Sequence, residues 1–308
     1  MKKFKKIIKA TSIVVVAFVI IFSIIITFAR DENIPTWDNI FDYVGLREQT
    51  LLVSSNDYVI FLDVGHADAA LIVSNGQSAL IDVGESQYAR TVYNKLRRYN
   101  VNNIDFMLGS HNHKDHIGGF EYLLENLTVN NIMLNFKNAA ENSELQLVQQ
   151  LSSLSNKYNV NKYDPVRSAV VNIGDFELTV IGFYPDATGE NNRSIFVMAK
   201  IGDIKFLFTG DAEEQAENRM LDDNINIDCD VLKVAHHGSN SSSTLNFISK
   251  ASPSYAVISC GKNNSYLHPN NDVIKRLESV GATVFRTDIH GDIAFEVKDN
   301  KLNIIKGK

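Results

Sequence analysis

The chain has 308 residues, 44% hydrophobic and 21% charged, enough for one large α/β domain with an appendage and unlike a disordered or low-complexity protein. Its formal net charge is −6, yet residues 1–30 hold five Lys, one Arg and no acid, leaving 24 basic against 36 acidic residues beyond them, a charge of −12. So acidic a surface argues against avid binding of bulk nucleic acid through a global positive field; a polyphosphate partner must be held by local contacts and metal ions.

Lys2, Lys3, Lys5, Lys6 and Lys9 precede an uncharged apolar run from about Ala10 to Ala29. About twenty such residues suffice to cross the hydrocarbon core as a helix. A cleavable signal shares the positive start, but its apolar region is shorter and ends in small residues, whereas this run ends Thr27-Phe28-Ala29-Arg30. The favoured expectation is a single-pass anchor over 1–30 in the cell membrane, N-terminus cytoplasmic and the rest extracytoplasmic; secretion after signal cleavage is the alternative. Residues 31–56 read as a tether with a short helix around Trp37–Tyr43. Its Trp37, Phe41 and Tyr43 sit either at the membrane interface or against the domain, which is expected over 57–308.

Tyr58–Leu62, Ala69–Ser74 and Ser78–Asp82 are β-type runs, with Asn75-Gly76 as a hairpin turn between the last two. The first and third run into Asp-Val-Gly, a combination that also serves simply as a turn. Ser86 to Tyr99 has helical spacing, with Tyr88, Val92, Leu96 and Tyr99 on one face. Ile104–Leu108 reads as a buried strand that delivers a loop, 109–119, in which His111, His113, Asp115 and His116 fall within six residues. A loop at a strand end can aim such closely spaced side chains into one cleft, and imidazole with carboxylate suits zinc or manganese. The histidine distribution agrees: of eight, none lies between His116 and His236, so they are concentrated in a few stretches. Val129–Leu134 then reads as a strand, and Ser143–Tyr158 as a helix with a core stripe of Leu145, Val148, Leu151 and Leu154.

From Val170 the chain turns β-rich, with strands expected over Phe176–Ile181, Ile195–Ile201 and Lys205–Phe208. Between the first two, Asn191-Asn192-Arg193-Ser194 offers donors to a substrate oxygen or is a structural loop. Asp211, just past the third, can bridge two cations through its two oxygens or cap the helix expected over Ala212–Leu221. Val231–Ala235 is another apolar strand, ending in His236-His237-Gly238-Ser239 and a serine run before a helix over Thr244–Ser249. Adjacent imidazoles point different ways, so one can ligate a metal while the other donates a proton. The run from Gly238 and Ser239 onward offers N–H groups as a phosphate cradle, an N-cap, or both. A strand over Tyr255–Ser259, a loop carrying His268, a helix over Asn270–Val280 and strands over Thr283–Phe285, Ile293–Val297 and Leu302–Ile305 complete the chain, with His290 as a turn residue. Cys229 precedes one strand and Cys260 follows the next, so a disulfide is not expected.

The His-x-His-x-Asp-His stretch resembles the signature of the metallo-β-lactamase superfamily. Phe61–Ala69, Leu80–Gly84, Phe208–Asp211, Val231–Ser239 and Leu267–Pro269 resemble the successive motifs of one branch, the hydrolase domain of the DNA-uptake protein ComEC and its stand-alone relatives. The resemblance covers about residues 57–306 in unbroken order and implies an αββα sandwich, where composition alone gives only α/β. It also implies two divalent ions, zinc first and manganese second. His111, His113 and one of the adjacent histidines, His236 preferred, would hold one; Asp115, His116 and His268 the other; Asp211 would lie between. Asp63, Asp68 and Asp82 become candidates for orienting ligand imidazoles, and Asn191-Asn192-Arg193-Ser194 resembles the branch's Asn-x-x-Ser, with Asn192 and Ser194 as substrate contacts beside Gly238 and Ser239. Two departures stand out: His66-Ala67 replaces the branch's Gln-Gly, and the further His ligand of many members is missing before Asp211.

A hydroxide shared by two such ions can attack phosphorus in line, with Asp115 and Asp211 holding the centre and His237 donating a proton to the leaving oxygen. The leading expectation is a membrane-anchored, extracytoplasmic, metal-dependent phosphodiesterase acting on DNA or another phosphodiester, with no stable protein partner implied. A phosphoesterase acting on a cell-envelope component such as a phosphorylcholine ester is the enzymatic alternative. A non-catalytic, metal-stabilised envelope binding module is the alternative of another class. Asp211 and the missing histidine disfavour β-lactam hydrolysis.

Overall fold

Asn75 and Gly76 turn the chain with φ of 49° and 80°, the left-handed geometry that a tight hairpin between right-twisted strands requires. A computed structural model describes this hairpin within residues 16–24, 26–27, 51–137 and 142–308 of the chain. Contacts divide the chain into two compact units, 1–49 and 50–308. In the first, residues 16–24 are helical. The expected anchor lies partly, and the Trp37–Tyr43 helix wholly, outside the described residues; among those described, no helix is long and apolar enough to cross a membrane.

In chain order the second unit runs β1 (Asp57–Phe61), β2 (Ala69–Ser74), β3 (Gln77–Val83), α1 (Ala89–Arg98), β4 (Asn103–Leu108), α2 (Lys114–Ile117), α3 (Phe120–Asn126), β5 (Thr128–Met133), α4 (Asn142–Lys157) and β6 (Asn161–Tyr163). It continues β7 (Val170–Ile173), β8 (Phe176–Gly182), β9 (Phe196–Ile201), β10 (Ile204–Phe208), α5 (Glu214–Asp222), β11 (Val231–Lys233), α6 (Leu245–Ala251), β12 (Tyr255–Ile258), α7 (Asn271–Ser279), β13 (Thr283–Arg286), α8 (Thr287–His290), β14 (Ile293–Lys298) and β15 (Lys301–Lys306). One sheet has the order β15-β14-β1-β2-β3-β4-β5-β6, the other β13-β12-β11-β10-β9-β8-β7.

Residues alternate faces along a strand, and here both faces are buried. Val59 and Phe61 of β1 join Phe106, Phe176, Phe206 and Phe295 between the sheets. Ile60 and Leu62 point the other way, with Leu71, Leu80 and Met107, against Val92 and Leu96 of α1, Phe120 of α3 and Leu151 of α4. On the far side, Leu207, Leu232 and Ala256 meet Met220 of α5, Phe247 of α6 and Leu277 of α7. The result is a helix–sheet–sheet–helix sandwich. Each fully buried large side chain contributes roughly 1.5–3 kcal/mol, and truncating one such as Phe206 to Ala costs about 3–5 kcal/mol.

The parallel strands place the site. β3, β4 and β5 run parallel in one sheet and β10, β11, β12 and β13 in the other, so their C-terminal ends open on one edge of the sandwich. Some expectations shift. Leu145 is exposed, and the stripe of α4 that enters the core is Val148 and Leu151, with Leu147 and Leu154 partly covered. Asp211 caps no helix, because α5 starts later with Glu213 as its N-cap. Cys229 and Cys260 are free and buried, at opposite ends of the parallel pair β11 and β12.

Candidate metal centre

β4 ends at Leu108 and the chain turns over Gly109, where a Cβ would lie 2.5 Å from Ile117 and 2.7 Å from Leu134; only glycine lets the histidine loop sit this close to the core. The loop folds His111 and His113 towards each other, with His111 Nε2 3.0 Å from His113 Nδ1. Their other nitrogens face partners: His111 Nδ1 lies 3.2 Å from Ser110 Oγ and His113 Nε2 3.2 Å from Glu144 Oε1, a carboxylate brought in by α4. His116 Nδ1 lies 2.9 Å from Asp82 Oδ2, and Asp82 is itself held by the Ser110 N–H at 2.7 Å and hydroxyl at 2.8 Å.

The second sheet supplies the opposite side. Asp211 follows β10 and is fixed by its own N–H donating to Ser194 Oγ at 3.0 Å. Its Oδ1 is 3.2 Å from His116 Nε2 without hydrogen-bond alignment, so both buried atoms lack a hydrogen-bond partner. Its Oδ2 is 3.7 Å from His237 Nε2 and 3.9 Å from His236 Nε2. Both histidines after β11 adopt left-handed backbone, φ 50° and 52°, which throws their rings to different sides, 6.3 Å apart and 65° to each other. His237 Nδ1 faces the Ser259 carbonyl at 3.0 Å and Asp68 Oδ1 at 3.4 Å, leaving Nε2 3.3 Å from Asp115 Oδ2. His236 Nδ1 faces Ser241 Oγ at 3.3 Å and Glu213 Oε1 at 3.4 Å. Beneath them, buried Lys233 places Nζ 2.5 Å from Asp68 Oδ2 and donates to the Val234 carbonyl.

These donors fit divalent cations. An imidazole whose outer nitrogen is held by a carboxylate, carbonyl or hydroxyl presents its other lone pair to the cleft, as a metal ligand must. Asp115, His116, Asp211 and His237 each offer an atom within 4.8 Å of the others, and Asp68, Asp82 and His116 form a similar group behind them. His111 Nε2 and His113 Nδ1 converge beside them, and His236 Nε2 approaches Asp211 from the far side, so the cleft has donors for two ions about Asp211. Its electrostatics call for cations. Burial opposes charge on His237, but Asp211 and Asp68 outweigh it and raise its pKa to about 10; His116 is held well above the usual range in the same way by Asp211 and Asp82. Burial would raise Asp68, yet Lys233 and His237 bring it down to about 2.

A profile described as "Metallo-beta-lactamase superfamily" matches residues 62–262. The chain belongs to the metallo-beta-lactamase superfamily. Within it, the chain is similar to ComE operon protein 3 of Bacillus subtilis, 29% identical over 80% of this chain and 34% of that protein. It is similar also to competence protein ComA of Neisseria gonorrhoeae, 27% identical over 79% of this chain and 33% of that protein. Recombination protein 2 of Haemophilus influenzae is 28% identical over 79% of this chain and 29% of its own length. The chain thus spans about a third of the length of these relatives. Among solved structures, the diiron β-hydroxylase CmlA of Streptomyces venezuelae superposes with a TM-score of 0.55 at 12% identity, over 80% of this chain and 55% of its own. The metallo-beta-lactamase fold protein YhfI of B. subtilis does so with 0.51 at 13%, over 74% and 95%. These likenesses show the fold.

Against that superfamily frame, the structure moves several expected residues. His237 joins the carboxylates as a metal-facing group, whereas His268 lies outside that group, lining the cleft with His66 and Tyr266. Asp68 and Asp82 do contact the imidazoles, but Asp63 does not: its N–H donates to Asp292 and its carboxylate faces Gly65 and Lys308. Asn192 is spent on structure, donating to the Thr188 carbonyl and accepting from the N–H groups of Glu213 and Ala216; its neighbour Asn191 lines the cleft instead. Ser194 holds Asp211, and Gly238 is needed where a Cβ would meet Pro269 at 2.6 Å. The serine run is no phosphate cradle, because the buried Glu217 carboxylate already accepts from Ser243 N at 2.6 Å and Thr244 N at 2.9 Å. Ser239 Oγ faces Ser241, outside the cleft lining. Sequence reasoning missed Glu144, Lys114 and Tyr266 at the cleft, and Ser110 and Lys233 behind it.

Proposed function

We propose that this chain is a membrane-anchored, extracytoplasmic phosphodiesterase that uses two divalent ions, zinc before manganese. The observation that carries the reading is Asp211, buried with one oxygen facing His116 and the other facing both His236 and His237. A carboxylate so placed would help to hold two cations beside each other, and two cations suit displacement at phosphorus. Two bound ions supply an activated water and neutralise charge on the phosphoryl oxygens.

This chain's own residues do the rest. Ser194 and Ser110 fix Asp211 and Asp82, which fix the reacting geometry; Asn191 lines the cleft, where its amide can donate to a substrate oxygen. His66 and His268 line the cleft and can give a proton to a leaving oxygen, whereas His237 is drawn in among the carboxylates. Lys114 is the lining's one lysine or arginine and offers a positive charge to a phosphate entering the cleft of about 500 Å³. The names of the competence and recombination relatives favour nucleic acid as the source of the phosphodiester. The presence of Asp211 together with Asp115, His116 and His237 disfavours a non-catalytic binding module.

The test is metal content and hydrolysis of bis-p-nitrophenyl phosphate by the full chain, with zinc or manganese, beside Asp211→Ala. Metal-dependent turnover that disappears in the variant supports the proposal; bound metal without turnover of any phosphodiester would sink it.

A further inference from the structure

The mouth of the cleft carries a feature that the metal chemistry does not use. Tyr266 is 68% exposed and Leu267 84% exposed, two large apolar side chains side by side in water. Behind Tyr266 lies His66, its ring 5.2 Å away and within 20° of parallel, and His268 lies 5.8 Å away within 25°. One face of the tyrosine ring is thus backed by imidazoles and the other is open.

The loop holding these rings is locked in shape. Asn264 donates to the carbonyls of Gly261 and His268, and the His268 N–H donates back to Asn264 Oδ1 at 3.0 Å. Gly261 lies so close to the 65–66 turn that a Cβ would come within 2.7 Å of His66 N. Leu267 sits at φ 59°, a conformation that branched L residues rarely hold. Strain of this kind persists where the surroundings over-determine it, and such strain clusters at ligand clamps. A locked, strained loop that holds a ring and a leucine in water has the character of a preformed binding surface rather than of a loose turn.

We propose that Tyr266, backed by His66 and His268, is the seat of an unpaired nucleobase adjacent to the scissile phosphodiester. The inference rests on the phosphodiesterase reading and adds to it the residues that choose the substrate. A base has a flat face that stacks on an aromatic ring irrespective of its sequence identity, but inside a duplex that face is already covered. The seat therefore selects single strands or frayed ends. Leu267 provides an apolar edge for the sugar, and Lys114, also in the cleft lining, meets a neighbouring phosphate.

Two measurements on the full chain test this. Thymidine 5′-(p-nitrophenyl phosphate) and methyl p-nitrophenyl phosphate share a leaving group and differ in the base. With metal bound, the thymidine ester is expected to have the higher kcat/KM by about tenfold, a preference kept by Tyr266→Phe and lost in Tyr266→Ala, as one stacked base predicts. Binding of a labelled methylphosphonate oligothymidylate, against its abasic counterpart, reads the seat without catalysis; Tyr266→Ala is expected to weaken the former about tenfold. Hydrolysis of both esters with an unchanged ratio in Tyr266→Ala would overturn the seat and leave the phosphodiesterase reading intact. Tyr266-dependent binding with no hydrolysis of either ester would support the seat and overturn that reading.

Discussion

The back of the cleft and its mouth are built from the same residue types under different constraints. At the back, Asp68, Asp82, Ser110 and Lys233 are buried and joined in short contacts, and each imidazole they touch has one nitrogen committed to them and the other turned towards the metal-facing groups. At the mouth, His66, His268 and Tyr266 meet through ring faces, and most of Tyr266 and of its neighbour Leu267 stays in water. The difference separates two tasks. Buried charge networks fix atoms in place because any unpaired member is severely penalised in low dielectric, whereas exposed ring faces leave surface free for a ligand to stack on.

Substitutions at the back should therefore act on metal and stability together, and those at the mouth on substrate alone. The largest effect is expected for Asp211→Asn, which removes the charge between the imidazoles. Metal affinity should fall by more than the roughly 10–100-fold typical of losing an outer partner, with turnover lost; calorimetric titration with zinc checks it. Lys233→Met is next. It takes from buried Asp68 its nearest cation and leaves it only the imidazoles of His237 and His116, so urea unfolding should show a loss of about 3 kcal/mol, and metal affinity should drop although Lys233 lies behind the metal-facing groups. Unchanged stability would mean that the back is not a coupled charge network.

Glu217 extends the comparison to the serine run. Burial raises its carboxyl from 4.5 to about 7 despite the N–H groups of Thr244 and Ser243. The folded state then holds a proton that the unfolded state releases near 4.5, so this contribution is complete below 4.5 and is lost as pH rises through 7. Urea titrations at pH 5 and 8 should differ by about 3 kcal/mol more in the wild type than in Glu217→Gln. Lys114→Ala is expected to matter least. Its ammonium is exposed, so melting should not move, while KM for an anionic diester should rise about threefold and less so in high salt.

Much of the metal-facing set was legible because four of its residues lie close together in sequence. His111, His113, Asp115 and His116 announce themselves by spacing, and Asp211 and His237 by following apolar strands. What spacing could not show was which atom each group would meet. Glu144 reaches His113 from a helix about thirty residues on, and the Ser259 carbonyl that orients His237 has no side-chain signature. The choice between His236 and His237 turned on two backbone torsions, and the serine run lost its expected role to Glu217, one carboxylate in an acidic helix. The mouth was scarcely legible. In the sequence His66 is only a departure from the branch's Gln-Gly, and Tyr266 is a lone aromatic in a polar loop, which gains meaning only from the rings stacked behind it.

The left-handed pair His236–His237 has a consequence for anyone improving this protein. Each holds a side chain in a backbone region where glycine or asparagine would be more comfortable, by about 1 kcal/mol per residue. A laboratory selection that rewards heat resistance alone would drift toward glycine at the partly exposed His236, while Asp68 and Asp115 hold the buried His237 in place, and its winners would be sturdier but short of one metal-facing imidazole. Selection must therefore be run with metal present and catalysis demanded, because at this turn durability and activity pull the sequence in opposite directions.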